Sequence, residues 1–555
     1  MGKISVLNED DVEKAIISLI EEEGWQYIKG SQINRETSEP LWESELKKSL
    51  RQINPELPEE ALSEAFKKLK NFENNNLISQ NRLFTDYIQS GIEVTYRDCG
   101  QQRSAIVKIV DFDNAENNSF RVANQVTFVE NGNTRRADVM LFLNGMPVVL
   151  MELKSCSREN VDESNAYRQI RNYMKDIPSV FIYNCMCIIS DGITSKAGTI
   201  TSPEDRFCAW KAADETDGRA ERKKARYSTL FKGMLGKDRF LDIISNYICF
   251  SVDGQNEAKI LAGYHQYFAV KKSLARTETA LREQTGKIGV VWHTQGSGKS
   301  LSMVFYSHLL NKNLESPTIV VITDRNDLDG QLYKQFCCCS DFLRQQPVQA
   351  QNRKHLKELL SKQKKHGIFF TTMQKFEESC EPLSERRDII IISDEAHRGH
   401  YNDVEKFNPE TGEIRTGYAQ LINESLPNAA HIGFTGTPLF GEAKNTSKVF
   451  GDFIDIYDMT QSEEDGTTCH IYFQSRVADL KLDKEKLELI DKEYEIMSES
   501  ADREVIEKSK RNLASLEMIF SNDETIDTLV SDILEHYEDS RAKVLTGKAM
   551  SVACG

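Results

Sequence analysis

The sequence predicts an α/β protein whose later half is a doubly wound parallel sheet and whose earlier half holds a separate run of strands. Three observations carry this. From about Gly254, strand-like apolar runs at 288–291, 318–322, 368–371, 389–392 and 431–434 alternate with helical segments. That alternation argues for a parallel sheet covered on both faces. Polar motifs follow the apolar runs directly, at the strand ends where such sheets place their ligands. Upstream, short strands at 92–96, 106–112, 122–129, 137–143 and 147–153 succeed one another, separated by turn residues such as Asn131-Gly132-Asn133 and Asn144-Gly145.

Val12, Ile16, Leu19 and Ile20 have helical spacing, which predicts a helix over 10–23 with Asn8 as its cap. Charged, helical sequence continues to about residue 81, and the strand run follows. A helix is expected over 167–175, an apolar strand over 180–189, and a mixed, basic connection over 199–240. After the alternating half, 480–518 is charged and helical, a linker or the first helices of a further domain. The expected division is 1–250, 251–460 and 461–555, with no internal repeats.

A chain of 555 residues is long enough for about three to four domains, each with its own core. No apolar run approaches the ~18 residues of a membrane span, and no signal-type segment follows Met1-Gly2-Lys3. A cytoplasmic protein without a membrane partner is expected. Twelve cysteines without a CxxC pair fit that reading, and Cys337-Cys338-Cys339 reads as structural rather than as a metal site. The net charge of −16 argues against gripping nucleic acid by bulk electrostatics, though not against a narrow basic channel. The most basic stretch, Arg219 to Arg226, reads first as a solvated helix face and second as a DNA-backbone contact.

Within the later half, Trp292-His293-Thr294-Gln295-Gly296-Ser297-Gly298-Lys299-Ser300 joins an apolar run to a helical one. A strand, a small-residue loop, Lys-Ser and a helix make a polyphosphate cradle. Thr294, Gly296, Ser297 and Gly298 supply main-chain N–H groups, Lys299 neutralises charge, and Ser300 offers a hydroxyl to Mg²⁺. His293 stands where the pattern usually begins with Gly. Downstream, the apolar run 389–392 ends in Ser393-Asp394-Glu395-Ala396-His397. Asp394 is placed to hold Mg²⁺, and Glu395 to orient and deprotonate an attacking water. Thr435-Gly436-Thr437-Pro438 resembles the coupling motif of superfamily 2 helicases and translocases. Gln266 lies where such motors place an adenine-reading glutamine.

A second centre is expected upstream. Asp138 and Glu152-Leu153-Lys154 fall on successive strands, the makings of a Mg²⁺-dependent phosphodiesterase. Asp138, Glu152 and the Leu153 carbonyl would hold the metal. Lys154 shares a strand face with Glu152 and would orient water or stabilise phosphate charge. Register sets a condition. A strict two-residue hairpin at Asn144-Gly145 puts Asp138 opposite Met151 and turns Glu152 away, so the site requires a bulge or odd loop between Leu143 and Val148. Gln169 and Tyr173, one helical turn apart, are placed to touch DNA or the carboxylates jointly; a buried helix contact accounts for them equally well.

Taken together, Arg135-Arg136-Ala137-Asp138, Glu152-Leu153-Lys154 and Gln169…Tyr173 resemble the PD-(D/E)xK, RecB-like nuclease domain of type I restriction enzyme R subunits. The segments 292–300, 394–397 and 435–438 are similar to that subunit's ATP-driven translocase. Residues 323–328 and 371–374 are similar to its motifs Ia and Ib. The likeness covers about 85–440, with Ala137 where the family name implies Pro. Thr546-Gly547-Lys548 looks like the start of a second RecA-like domain, and the expected chain, lacking motifs V and VI, binds ATP but turns it over poorly. The resemblance implies ATP and Mg²⁺ as cofactors. It implies double-stranded DNA plus methyltransferase (M) and specificity (S) subunits as partners, and DNA translocation followed by cleavage. Two rivals stand beside it: a superfamily 2 remodelling or repair translocase with a non-catalytic N-terminal DNA-binding domain, and a non-catalytic assembly piece.

Overall fold

A computed structural model describes residues 9–98, 100–154, 163–315, 317–323, 326–362, 366–376, 382–396, 406–407, 414–415, 418–439, 446–470 and 523–540. The chain falls into two compact units, 1–469 and 470–555. In the second, the described helix Asp523–Ser540 exposes Ile526, Leu529, Val530, Ile533 and Leu534, a stripe at helical spacing.

The first unit holds two seven-stranded sheets. The N-terminal sheet runs in chain order: β1 (Gln26–Lys29), β2 (Phe120–Glu130), β3 (Asn133–Leu143), β4 (Met146–Leu153), β5 (Met186–Ser190), β6 (Ser195–Gly198) and β7 (Cys208–Ala209). Only the β1–β2 and β4–β5 pairs are parallel. Every residue of β4 is buried, so this strand is covered on both faces. Helix α1 (Glu9–Glu22) presents the buried Val12, Ile16 and Ile20 to one face, while α2 (Glu163–Asp176) lays Ala166, Ile170 and Tyr173 on the other.

The β3–β4 hairpin fixes the geometry that matters. Asn144 and Gly145 have φ of 52° and 82°, the left-handed pair of a tight two-residue turn. A Cβ on Gly145 would stand 2.5 Å from the Trp42 carbonyl oxygen, so only glycine fits there. Leu143 pairs with Met146 and Phe142 with Pro147, but Leu141 pairs with Val149. Val148 is therefore an extra residue, the bulge the sequence requires. Pro147 brings no N–H to the ladder, and the Val148 carbonyl turns aside to accept from Cys185 N–H at 2.7 Å. Beyond the bulge Val139 faces Met151, which brings Asp138 opposite Glu152.

Two expected strands are corrected. The run 180–189 is split: Pro178 opens a short helix, Pro178–Ile182, and only Met186–Ser190 is extended. The strand expected at 106–112 lies earlier, at Gln101–Val107, paired with Ile92–Asp98 as a hairpin of its own.

After the short helix α3 (Arg219–Lys223), α4 (Tyr264–Glu283) leads into the second sheet. Its strands are β8 (Lys287–His293), β9 (Thr318–Thr323), β10 (Val348–Gln349), β11 (Ile368–Thr372), β12 (Ile389–Ser393), β13 (Ala430–Thr435) and β14 (Phe453–Tyr457). The spatial order is β10-β11-β9-β12-β13-β8-β14, parallel throughout. Val320, Val321, Ile390 and Ile391 are fully buried, which explains the unbroken apolar runs. Burying one such side chain stabilises the fold by about 1.5–3 kcal/mol. Helix α5 (Lys299–Asn313) follows the loop after β8.

Two candidate sites at strand ends

In the first sheet, one Asp138 carboxylate oxygen accepts the Leu153 N–H at 2.9 Å. Glu152 is wholly buried; Oε1 accepts from Lys154 Nζ at 2.6 Å, while Oε2 has no hydrogen-bond partner among the described residues. A buried carboxylate oxygen with no donor is an unmet demand for positive charge. Burial, reinforced by the Asp138 charge, pushes Glu152 up to about 8. Burial also raises Asp138, against the opposing Leu153 N–H. Among the described residues no group of three or more His, Cys, Asp or Glu is set to hold a metal. The available ligands are these two carboxylates with the Leu153 carbonyl, all hard oxygens of the kind Mg²⁺ takes. Lys154 Nζ also reaches that carbonyl, at 3.1 Å.

Gln169 Nε2 donates to Tyr173 Oη at 2.6 Å, and Tyr173 Oη donates to the Arg136 carbonyl at 3.0 Å. The pair is thus tied to the strand two residues before Asp138. Burial, then the Glu152 charge, raises the phenol of Tyr173, which keeps it protonated as a donor.

Two further polar residues gather here that the sequence reading did not find. Glu13, buried on α1, accepts from Asn124 Nδ2 at 2.6 Å and from Gln125 Nε2, and its charge is felt at Asp138. Gln125, next to Asp138 across the sheet, has φ of 51°, a strained conformation for a residue with a side chain. The only hint in the sequence is the polar pair Asn124-Gln125 interrupting an otherwise alternating strand.

In the second sheet the motifs share one edge. The loop 294–298 leaves β8 with Gly296 and Gly298 at φ of 84° and 83°, and Gly298 sits at the N-terminal end of α5. A helix N-terminus with left-handed glycines presents N–H groups to an anion. Ser297 Oγ donates to the Thr294 carbonyl at 2.6 Å, bracing the loop. Lys299 makes no ion pair among the described residues. Ser300 follows it on α5. Gln266 is already engaged: Oε1 accepts from Gly263 N–H at 2.9 Å, and Nε2 donates to the Gly298 carbonyl at 3.0 Å. A Cβ on Gly298 would meet that Nε2 at 2.6 Å, so glycine serves the close approach as well as the loop.

Asp394 and Glu395 follow β12, two strands from β8, with β13 between them. Asp394 N–H donates to the Ile322 carbonyl, and Glu395 N–H to Asp394 Oδ1, both at 2.9 Å. Glu395 itself has φ of 47°, backbone strain of the sort found at working sites. Thr435 ends β13, where its hydroxyl accepts the Thr437 N–H at 3.1 Å. Trp292 Nε1 donates to the Gly436 carbonyl at 3.1 Å, so this segment packs directly on the strand feeding the 294–298 loop. His397, 324–325, 480–518 and 546–550 lie outside the described residues, as do the side chains of 326–328.

The basic run 219–226 is largely solvent-exposed, as the first reading expects, but part of its charge is paired. Arg219 pairs with Asp458 and Glu464, Lys223 pairs with Glu464, and Arg222 is buried. Sequence showed the cations but not the carboxylates more than two hundred residues away that pair with Arg219 and Lys223.

Three histidines of the second sheet's surroundings are buried and held neutral. Burial, then neighbouring His293, pushes His265 down to about 4; burial, then Lys312, pushes His308 to about 3; burial alone pushes His431 to about 4. These folded values lie below the unfolded ~6.5, so the stabilisation is present above that pH and fades as pH falls towards 4. Each contributes about 3 to 5 kcal/mol at most. The denaturant midpoint is expected to drop between pH 6.5 and 4, less steeply in His431→Asn. Equal slopes for the two proteins would refute this.

Family models match both halves: the type I restriction enzyme R protein N terminus over 6–206, and the SWI2/SNF2 ATPase over 265–507. The HindI endonuclease subunit of a type I restriction enzyme from Haemophilus influenzae is 36% identical over 99% of this chain and 53% of its own length. A putative type I restriction enzyme endonuclease subunit, MjaIXP of Methanocaldococcus jannaschii, is 32% identical over 98% of the chain and 53% of its own length. The chain spans about half the length of these curated relatives. Among the described residues no helix is long and apolar enough to cross a membrane.

Proposed function

This chain belongs with the endonuclease (R) subunits of type I restriction enzymes, and on that premise we propose that it carries their Mg²⁺-dependent nuclease centre and their ATP site. The observation that carries the reading is the Val148 bulge, which sets Asp138 opposite a buried, donor-less Glu152 oxygen. The division 1–250 for the nuclease, 251–460 for the first motor domain and 461–555 for the start of the second is part of the same proposal.

Asp138, Glu152 and the Leu153 carbonyl hold Mg²⁺, which when bound supplies charge stabilisation and a more acidic water. Lys154, held between Glu152 and the Leu153 carbonyl, orients that water or meets the phosphate. Gln169 and Tyr173 fix the strand at Arg136 and thereby the direction of Asp138. At the second site the 294–298 loop N–H groups and Lys299 receive the phosphates of ATP. Ser300 and Asp394 hold its Mg²⁺, and Glu395 orients water. Gln266 reads adenine after releasing Gly298. Motor movement pulls double-stranded DNA, and M and S subunits supply recognition, which accords with an acidic chain. A cytoplasmic location belongs to this reading.

The test combines the chain with its cognate methyltransferase and specificity subunits, ATP, Mg²⁺ and supercoiled plasmid. Unmethylated plasmid is expected to be linearised and methylated plasmid spared. Plasmid left intact, although the assembly forms and hydrolyses ATP, would refute the nuclease reading.

A further inference from the structure

The segment after β14 carries a cluster that the two sites above do not use. Asp465 ends the helix α6 (Met459–Glu464), and its carboxylate is a junction. One oxygen, Oδ2, accepts from the hydroxyl of Tyr264 and from that of Tyr457, the latter at 2.8 Å. The other, Oδ1, lies 2.9 Å from Lys211 Nζ, whose ammonium also donates to the Glu464 carbonyl at 2.8 Å. The Asp465 side chain is only 9% exposed in that pair, so three polar partners converge on one nearly buried charge.

Both tyrosines lead to the nucleotide loop. Tyr264 is the first residue of α4, two before Gln266. Tyr457 stacks flat on His265, centroids 4.2 Å apart and planes within 7°. His265 Nε2 lies 3.0 Å from the Ser297 carbonyl, inside the phosphate loop. The Tyr457 carbonyl accepts from Thr294 N–H at 2.9 Å, at the root of the same loop. A cavity of about 400 Å³ opens beside this stack, lined by Tyr264, His265, Gln266, Gly296, Ser297 and Asp465 among others.

We propose that Asp465 is a positioning residue that sets base selectivity, holding Tyr264 and Tyr457 so that the start of α4 presents Gln266 to adenine. The inference rests on the ATP reading above and extends it to a residue about 170 positions from the loop. Lys211 anchors the same carboxylate from the connection following β7, so the arm leaving the first sheet is tied to the nucleotide site. Because Asp465 acts at the α4 end of the pocket, its loss affects how the base is read more than how phosphates are held.

The test is fluorescent-nucleotide titration of the whole chain with mant-ATP and mant-GTP. The wild type is expected to prefer ATP, and Asp465→Asn to reduce the ATP/GTP affinity ratio about tenfold, chiefly by weakening ATP. Tyr264→Phe is expected to reduce it in the same direction, and the double variant to be no worse than Asp465→Asn alone, because the Tyr264 hydrogen bond is among those Asp465 makes. Circular dichroism and melting temperature identify variants that have lost their fold; Asp465→Glu, which keeps the charge, then serves as the replacement and is expected to restore part of the ratio. An unchanged ratio in a folded Asp465→Asn protein, or losses that add in the double variant, overturns the inference and leaves the ATP reading intact. A wild type that binds neither nucleotide overturns both.

Discussion

Glu152→Gln is expected to abolish Mg²⁺-dependent DNA cleavage while leaving ATP binding unchanged and the metal-free protein more stable. Metal-assisted charge stabilisation amounts to several kcal/mol at such sites, and each 1.36 kcal/mol is tenfold, so the loss should reach about a thousandfold. The gain in stability has its own cause. Burial and Asp138 raise Glu152 to about 8, well above its unfolded value of roughly 4.3. Stability is therefore fully present below that unfolded value and is lost as pH rises towards 8. The glutamine variant carries no such titration. Melting curves at pH 5 and pH 8 should converge at the acid end and separate at the alkaline end, the variant above. Plasmid cleavage that survives the substitution, or a variant that melts lower at pH 8, contradicts the site as described.

Lys299→Ala is the counterpart, expected to lower ATP affinity by about a hundredfold or more. Lys299 has no ion-pair partner among the described residues, so its removal frees no buried carboxylate and should leave the fold intact. The whole effect falls on the phosphates that the ammonium would meet. Isothermal titration with ATP and, separately, with Mn²⁺ distinguishes the centres. ATP binding should vanish from the concentration range accessible, while the metal isotherm of the first sheet is retained. ATP binding as tight as the wild type's would remove Lys299 from the site; loss of both isotherms would mean the protein has unfolded.

Much of this was legible before the structure, for identifiable reasons. The inner strands of the second sheet are covered on both faces, so they read as apolar runs, and Asp394 or Lys299 can be located by counting from a run's end. The β3–β4 bulge was legible as a condition: period two and the Asn-Gly turn demanded one extra residue if Asp138 and Glu152 were to meet, and Val148 is that residue. What escaped depends on contacts between distant segments. Glu13 reaches the site because α1 packs across the sheet, and nothing in its local spacing separates it from the solvent-facing acids around it. The pairing of Arg219 and Lys223 with Glu464 is a property of tertiary approach, invisible to a reading of charge along the chain. Val180 to Ile182 looked extended because β-branched residues favour strands, whereas Pro178 at the first helical position prevailed.

On the proposed reading, the Val148 bulge makes cutting a matter of parity. Side chains on a strand alternate, so shortening or lengthening the hairpin by one residue reverses the outlook of everything beyond it without altering any acidic residue. Such a chain would keep its aspartate, glutamate and lysine in their familiar order and still leave DNA whole. Comparing relatives by those letters alone would count it as competent; counting the residues between the aspartate and the glutamate would expose it.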